Sequence, residues 1–248
     1  MPRPVSAIEI LNPDWDLPVR AGFTTRAGGV SQSPYDALNL ALHVADDPAR
    51  VHENRRRLVA QAGLPEQPRW VAQVHGTRVV HAGEVERDVT EADAVWTDQP
   101  GQVCAVLVAD CLPILLADRA GGCVAAVHAG WRGLAAGILQ QAVATLPVAA
   151  SDLAACIGPC IGPEAYEVGP DVIDSIKRSD IQPVRHPSRR RSTRFQLDLA
   201  ATARDVLALA GVADIRRVRH CTAGDPTRFF SYRRDGVTGR MAGYITNR

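Results

Sequence analysis

The stretch that most constrains this chain is residues 104–133, CAVLVADCLPILLADRAGGCVAAVHAGWRG. Two short apolar runs, residues 113–117 and 123–127, flank Asp118-Arg119-Ala120-Gly121-Gly122, the composition of a hairpin loop. Paired residues in an antiparallel hairpin have a constant index sum. With Asp118 facing a residue near Cys123 that sum is about 241, which sets His128 opposite residues 111–113. A thiol and an imidazole are thereby brought together by the fold-back alone.

Beyond His128 the sequence reads Ala129-Gly130-Trp131-Arg132-Gly133 and then LAAGILQQAVATL, with Leu134, Ile138, Ala142 and Leu146 on one helical face. Strand, glycine turn and helix follow one another. The amides that open such a helix, with Arg132 beside them, form an expected anion site next to His128.

At 248 residues, 46% apolar and 22% charged, the chain has ample material for a core and reads as one domain over residues 1–248. A formal net charge of +1 gives no reason to expect a nucleic-acid or membrane partner. No apolar run approaches the roughly 18 residues of a membrane helix. The first residues, MPRPVSAIEILNPDWDLP, lack the apolar segment of an export signal, so a cytoplasmic location is expected. The six cysteines form no CxxC pair and are expected to stay reduced.

Residues 21–47, with two glycines, Ser31, Ser33, Pro34 and Asn39, read as a long ordered loop in which Arg26, Ser31 and Asn39 are candidate ligand contacts. Asp47-Pro48 caps a helix to about Ala62, stopped by Gly63, with Val51, Leu58, Val59 and Ala62 inward and Arg55 able to reach a site. Residues 69–74 predict a strand ending at His75-Gly76, and 92–97 another. Further on, 153–157 and 215–220 predict strands, 170–178 and 197–210 helices, and 229–232 a strand. Five arginines between 185 and 194 mark an exposed connection. They lack the interleaved aromatics of a nucleic-acid surface. Hairpins plus separate helices make the fold class α+β.

His75, Cys111 and His128 each stand at the end of an apolar strand, and together they are good ligands for a borderline-soft divalent metal. Their spacings of 36 and 17 residues are not a zinc-finger signature. The same residues also suit an unmetallated pair, Cys111 as nucleophile and His128 as base. Asp110 serves either reading, as partner of a ligand imidazole or as proton donor to a leaving group. A zinc or cysteine hydrolase acting on an amide would use the same groups.

The motifs TTRAGGVS, LNLALHVADDP, VHENRRRL, QVHGTRVV, EADAVWTD, VADCLPILLAD, VAAVHAGWRGL, CIGPCIG, YEVG and SYRRDGVTGR run in order through nearly the whole chain. In them it resembles the laccase-domain or polyphenol-oxidase group of bacterial proteins, read as purine nucleoside phosphorylases. The resemblance implies a zinc site on His75, Cys111 and His128, and helices packed on two layers of mixed, largely antiparallel sheet. It also implies phosphorolysis of adenosine, inosine, guanosine and methylthioadenosine, with deamination of adenosine. Purine nucleosides and phosphate are then the partners, with Arg26, Asn39, Arg55 and Arg132 as substrate-binding candidates. Two positions depart from the group: Ala41 stands where glycine is common, and Cys160 where a small residue is usual, placing a possible extra thiol near the site. Blue multicopper oxidases need His-rich clusters and usually an axial Met, but this chain has seven His, no HxH pair and only Met1 and Met241. A single Cu2+ in the zinc site remains compatible with the ligand set, since copper outcompetes zinc at nitrogen and sulfur donors.

Overall fold

The computed structural model describes residues 7–188 and 191–247. Along the chain lie β1 (Ile10–Leu11), β2 (Val19–Thr24), α1 (Pro48–Ala62), β3 (Val79–His81), β4 (Ala94–Thr97), β5 (Cys104–Val108), β6 (Leu112–Asp118) and β7 (Val124–Ala129). There follow α2 (Trp131–Ala136), α3 (Ile138–Thr145), β8 (Leu153–Ile157), β9 (Glu167–Val168), α4 (Pro170–Lys177), β10 (Arg185–Pro187) and β11 (Phe195–Leu197). The chain closes with α5 (Leu199–Leu209), β12 (Asp214–Arg217), α6 (Tyr232–Asp235) and β13 (Met241–Asn247).

The strands form a six-stranded sheet, β12-β8-β6-β7-β4-β3, a four-stranded sheet, β1-β2-β13-β5, and a small sheet, β10-β11-β9. Among the strands of the described residues only β12/β8 and β3/β4 pair in parallel. Both faces of the β6/β7 hairpin are covered, which is why its strands are buried at every position, and apolar at all but Asp118 and His128, rather than at alternate ones. Leu115, Ala117, Val124 and Ala126 face the four-stranded sheet and pack with Phe23, Val106 and Ile245. Their neighbours Ile114, Leu116, Ala125 and Val127 face the other way, onto Leu134 and Ile138 of the α2–α3 segment, Ile173 of α4 and Leu207 of α5. Helix α1 covers the far side of the four-stranded sheet through Leu58, which packs with Trp70, Leu107 and Tyr244. Two sheet layers are thus enclosed by helices, an α+β architecture. Each fully buried Leu or Ile in this sandwich contributes about 1.5–3 kcal/mol.

Helix α1 has the expected ends: the Asp47 carboxylate accepts from the Ala49 amide, and Gly63 adopts φ 61°. The inward face differs from the expectation, because Asn54 and Arg55 are buried with Val51 and Leu58. The helix expected over 134–146 is broken, since Gly137, with φ 93°, ends α2 and starts α3. Residues 69–74 do not form a strand. Arg69 and Ala72 make isolated bridges to different partners, and the Gln73 side chain takes the place of a neighbouring strand, bonding the Leu107 amide (2.7 Å) and carbonyl (2.8 Å). Residues 229–232 are also not a strand, because the Phe229 amide closes a turn on Asp225 and Ser231 caps α6. Of the arginine-rich segment, Arg185 stacks on Phe195 in the β10/β11 hairpin, while Arg189 and Arg190 lie outside the described residues.

Candidate metal centre

The β6/β7 register pairs Pro113 with His128, an index sum of 241, and leaves Cys111 one residue ahead of β6. His75 arrives from a separate segment, in a turn where its own φ is 61°. One buried carboxylate, immediately before β4, joins these pieces. Asp93 has no solvent exposure. Its Oδ1 accepts from the His75 amide (3.0 Å) and the Nδ1 of His128 (2.8 Å), and its Oδ2 from the amides of Gly76 (2.6 Å) and Val74 (3.3 Å). Its own carbonyl accepts from the His128 amide at 2.7 Å. With Nδ1–H committed to Asp93, Nε2 is the ring nitrogen of His128 left to ligate a metal in exchange for its proton.

The ligand atoms of His75, Cys111 and His128 all lie within 4.8 Å of one another, the only such group among the described residues. The Cys111 Sγ stands 3.9 Å from His75 Nε2, and the two imidazoles meet edge to face with centroids 4.8 Å apart. Gly130 leaves the room this needs. A Cβ there would lie 2.9 Å from His75 Cδ2 and 3.1 Å from the Cys111 Sγ. Burial alone would push the Cys111 thiol up, but His128 and His75 beside it bring it below its ordinary value. Burial would likewise lower His128, yet the Cys111 sulfur and Asp93 raise it above the usual imidazole range. The cluster therefore holds a thiolate near neutral pH, the form that ligates a metal. Two imidazoles and a thiolate, oriented by a buried carboxylate and facing a cleft, fit a metal of the zinc type; three protein ligands are the number found in catalytic rather than closed structural sites.

The cleft measures about 430 Å³ and is lined by the three ligands with His43, Gln73, Leu107, Val108, Ala109, Arg132, Tyr232 and Arg240. No carboxylate is among these residues. Burial, then Arg240, lower His43, leaving its ring neutral. Arg132 is exposed and stacks on Trp131 with its guanidinium 4.6 Å from the ring centroid.

The other expected contacts are placed differently. Arg26 donates to the carbonyls of Asp36 (2.7 Å) and Pro226 (2.9 Å) and lies over Phe230. Arg55 is buried in a two-pronged pair with Asp88 at 2.6 and 2.7 Å, over the Trp70 ring. Asn39, with no exposure, bonds Asp46, Ala41 and the Arg240 amide. Ser31 donates to Asp46 at 2.6 Å. All four brace the loop or the cleft wall, and none lines the cleft. Asp110, at φ 88°, turns its carboxylate away from the triad to accept from Thr222 Oγ1 (2.6 Å), Ser231 Oγ (3.0 Å) and the Arg233 amide (2.7 Å). The imidazole partner is Asp93, not Asp110. Cys160, a free thiol whose backbone pairs with that of Cys221, is fully buried, with burial pushing its thiol up to about 12, and it does not line the cleft. Sequence reasoning missed Asp93, His43, Tyr232 and Arg240. For Asp93 a signal was present: a charge between two alanines in an otherwise apolar run.

An α+β sandwich carrying a His/Cys/His centre at the floor of a cationic cleft defines the class. The family model described as multi-copper polyphenol oxidoreductase laccase matches residues 20–248. The chain is 47% identical to a Pseudomonas aeruginosa protein named purine nucleoside phosphorylase, over 95% of this chain and 97% of the relative. It is 43% identical to the purine nucleoside phosphorylase YfiH of Escherichia coli, over 96% and 98%. A crystal structure of Neisseria meningitidis protein NMB0706 superposes with a TM-score of 0.89 at 41% identity, covering 98% of this chain and 99% of that one. The chain belongs to this laccase-like family. The family's multi-copper description does not fit the site. The residues outside the described set add no His, Cys, Asp or Glu, and His75, Cys111 and His128 form the only multi-donor group among the described residues, one centre rather than several. No helix among the described residues is long and apolar enough to cross a membrane.

Proposed function

We propose that this chain is a zinc-dependent purine nucleoside phosphorylase, converting adenosine, inosine, guanosine or methylthioadenosine and phosphate to free base and the pentose-1-phosphate, with adenosine deamination at the same centre. The observation that carries the reading is the cleft itself. It joins a three-ligand metal centre to cationic walls without carboxylates, as an anionic co-substrate requires, and it lies in a chain whose relatives bear that name. Its volume is within the range of small-molecule pockets. Zinc bound there supplies Lewis acidity and an acidified water. Cu2+ is the competing ion at these donors.

The protein's own contribution is positioning. Asp93 fixes the His128 ring and the His75 turn, so the donors need no reorganisation. Cationic side chains of the cleft stabilise phosphate as it approaches the anomeric carbon of the pentose. His43 and Tyr232 are the N–H and O–H groups able to hydrogen-bond the purine or relay a proton to it as it leaves. Asp110, Arg26, Asn39 and Arg55 support these groups from behind. Six free thiols suit a reducing compartment, and on that ground and the family resemblance we assign the enzyme to the cytoplasm.

The reading is tested by turnover of inosine and adenosine by zinc-loaded protein, with and without phosphate, following the pentose-1-phosphate by chromatography. Phosphate-dependent release of base and sugar phosphate is expected. Release of neither, with zinc bound and the protein folded, refutes it and favours an amide hydrolase using Cys111.

A further inference from the structure

Arg240 was invisible as a site residue in the sequence, yet it is the cation most firmly built into the cleft. Its peptide is clamped on both sides by the 25–47 loop: its amide donates to Asn39 Oδ1 at 2.9 Å, and its carbonyl accepts from the Leu40 amide at 3.2 Å. Asn39 is itself held by Asp46 (2.9 Å), and Leu40 by Arg55, whose Nε donates to the Leu40 carbonyl at 2.9 Å. Next to it, Gly239 lies so close to its surroundings that a Cβ would come within 2.7 Å of Phe230 and 3.0 Å of Asn39. The side chain is fixed as well. Nη1 donates to the carbonyls of Thr238 (2.8 Å) and Gly239 (3.1 Å), and the guanidinium stands 5.9 Å from the Tyr232 centroid.

Half of this guanidinium is left over. Among the described residues no acceptor takes a hydrogen bond from Nε or Nη2 of Arg240, and no carboxylate pairs with it. The other arginines considered around the cleft and the 25–47 loop are different. Arg26 and Arg55 are neutralised by Asp36 and Asp88, and Arg132 stands exposed on its own short helix with only Trp131 beneath it. A planar pair of N–H groups, pre-oriented, partly desolvated and unpaired, matches two oxygens of a tetrahedral oxyanion. Ordering costs have already been met within the folded protein, so the fork is ready for a ligand.

We infer that Arg240 anchors the phosphate co-substrate by a two-pronged contact through Nε and Nη2, with the exposed Arg132 as the second cation, and that Asn39 is the positioning residue that sets the Arg240 backbone. The identity of the anion rests on the phosphorolysis reading; the existence of an oxyanion subsite on Arg240 does not. Asn39 therefore serves the reaction without touching substrate.

The experiment measures binding of inorganic phosphate to the zinc-loaded full chain by titration calorimetry, alongside steady-state KM values for phosphate and inosine. Arg240→Gln is compared with wild type and with Arg204→Gln, an exposed arginine outside the cleft. Loss of the charged fork should weaken phosphate binding, and raise its KM, by roughly 10- to 100-fold while the inosine KM changes little. Arg204→Gln should match wild type. Should Arg240→Gln fail to fold, Arg240→Lys, which can still reach the Thr238 and Gly239 carbonyls but offers no planar fork, should show the same selective loss. A folded Arg240 variant with wild-type phosphate affinity, or no phosphate binding by wild type, overturns the inference. Arg240-dependent phosphate binding without any phosphorolysis sustains the subsite and sinks the phosphorylase reading, so the two failures are distinguishable.

Discussion

Replacing Asp93 by Asn changes one atom, yet Asp93 is the point at which the two histidine-bearing segments meet. Its two oxygens share four donors, two on each oxygen, in a site with no solvent exposure. An amide can keep only one oxygen. Either the amides of Val74 and Gly76 or the His75 amide and the His128 ring then face an NH2 group. Two buried donors left without an acceptor cost about 1–3 kcal/mol each, so Asp93→Asn should lose about 2–6 kcal/mol of a total of about 5–15 kcal/mol. With the His128 ring no longer held by a carboxylate, zinc affinity should fall about 10- to 100-fold. Burial pushes the Asp93 carboxyl up, but the His128 contact and the amides of Gly76 and His75 outweigh it and hold the group below its ordinary value. The folded state thus binds fewer protons than the unfolded one. The resulting stability is present above the usual carboxylate value of about 4 and is lost as pH falls below it. In Asp93→Asn that acid-labile part should be missing. Urea unfolding of the metal-free protein from neutral to acid pH and zinc titration against a chromophoric chelator read both effects. Wild-type stability together with wild-type zinc affinity in Asp93→Asn would refute the claim that this carboxylate assembles the centre.

Two smaller changes separate the site from its support. Gly130→Ala places a methyl 3.1 Å from the Cys111 sulfur and 2.9 Å from His75 at an ordinary backbone conformation, φ −73°; it should fold but bind zinc at least about tenfold more weakly, read by metal analysis after dialysis. Arg55→Ala breaks a pair with Asp88 whose arginine side chain is 5% exposed; it should cost about 3 kcal/mol, the low end for a buried pair because Asp88 is 29% exposed. Its inosine KM should stay within about twofold if Arg55 is structural, and a tenfold rise would return it to the substrate contacts.

What the sequence made legible was local or periodic. The hairpin sum of 241 and the Asp47-Pro48 to Gly63 helix depend on turn and cap residues adjacent to what they organise, and both are present as expected. Other features depend on distant partners. Strands β2 and β13 were not anticipated; each finds its partner nearly the length of the chain away, and residues 69–74 fail as a strand because a glutamine side chain replaces the neighbouring backbone. Gly137 sits in an amphipathic pattern that hides the break its positive φ imposes. Asp110, adjacent to Cys111, reads in the sequence as partner of a ligand imidazole or as proton donor, but at φ 88° its carboxylate is taken by the donors of Thr222, Ser231 and Arg233, more than 110 positions on. Asp93 enters the site through the long-range β4/β7 pairing, and Arg240 from the residue just ahead of β13 in the other sheet, relations that the local sequence does not carry. The polar residues singled out in the 21–47 loop and α1 bond other protein groups: Arg26 the carbonyls of Asp36 and Pro226, Ser31 and Asn39 the Asp46 carboxylate, and Arg55 Asp88.

The most direct test of a metal-dependent phosphorylase centre on His75, Cys111 and His128 is turnover against metal content in one preparation. The protein is stripped with a chelator, reloaded with zinc in steps, and assayed for phosphate-dependent pentose-1-phosphate release from inosine, with Cys111→Ala alongside. Activity should be absent in the stripped protein and rise linearly to a plateau at about one zinc per chain, while folded Cys111→Ala binds no zinc and stays inactive. Full phosphorolysis by the stripped protein, or by Cys111→Ala, would contradict the account.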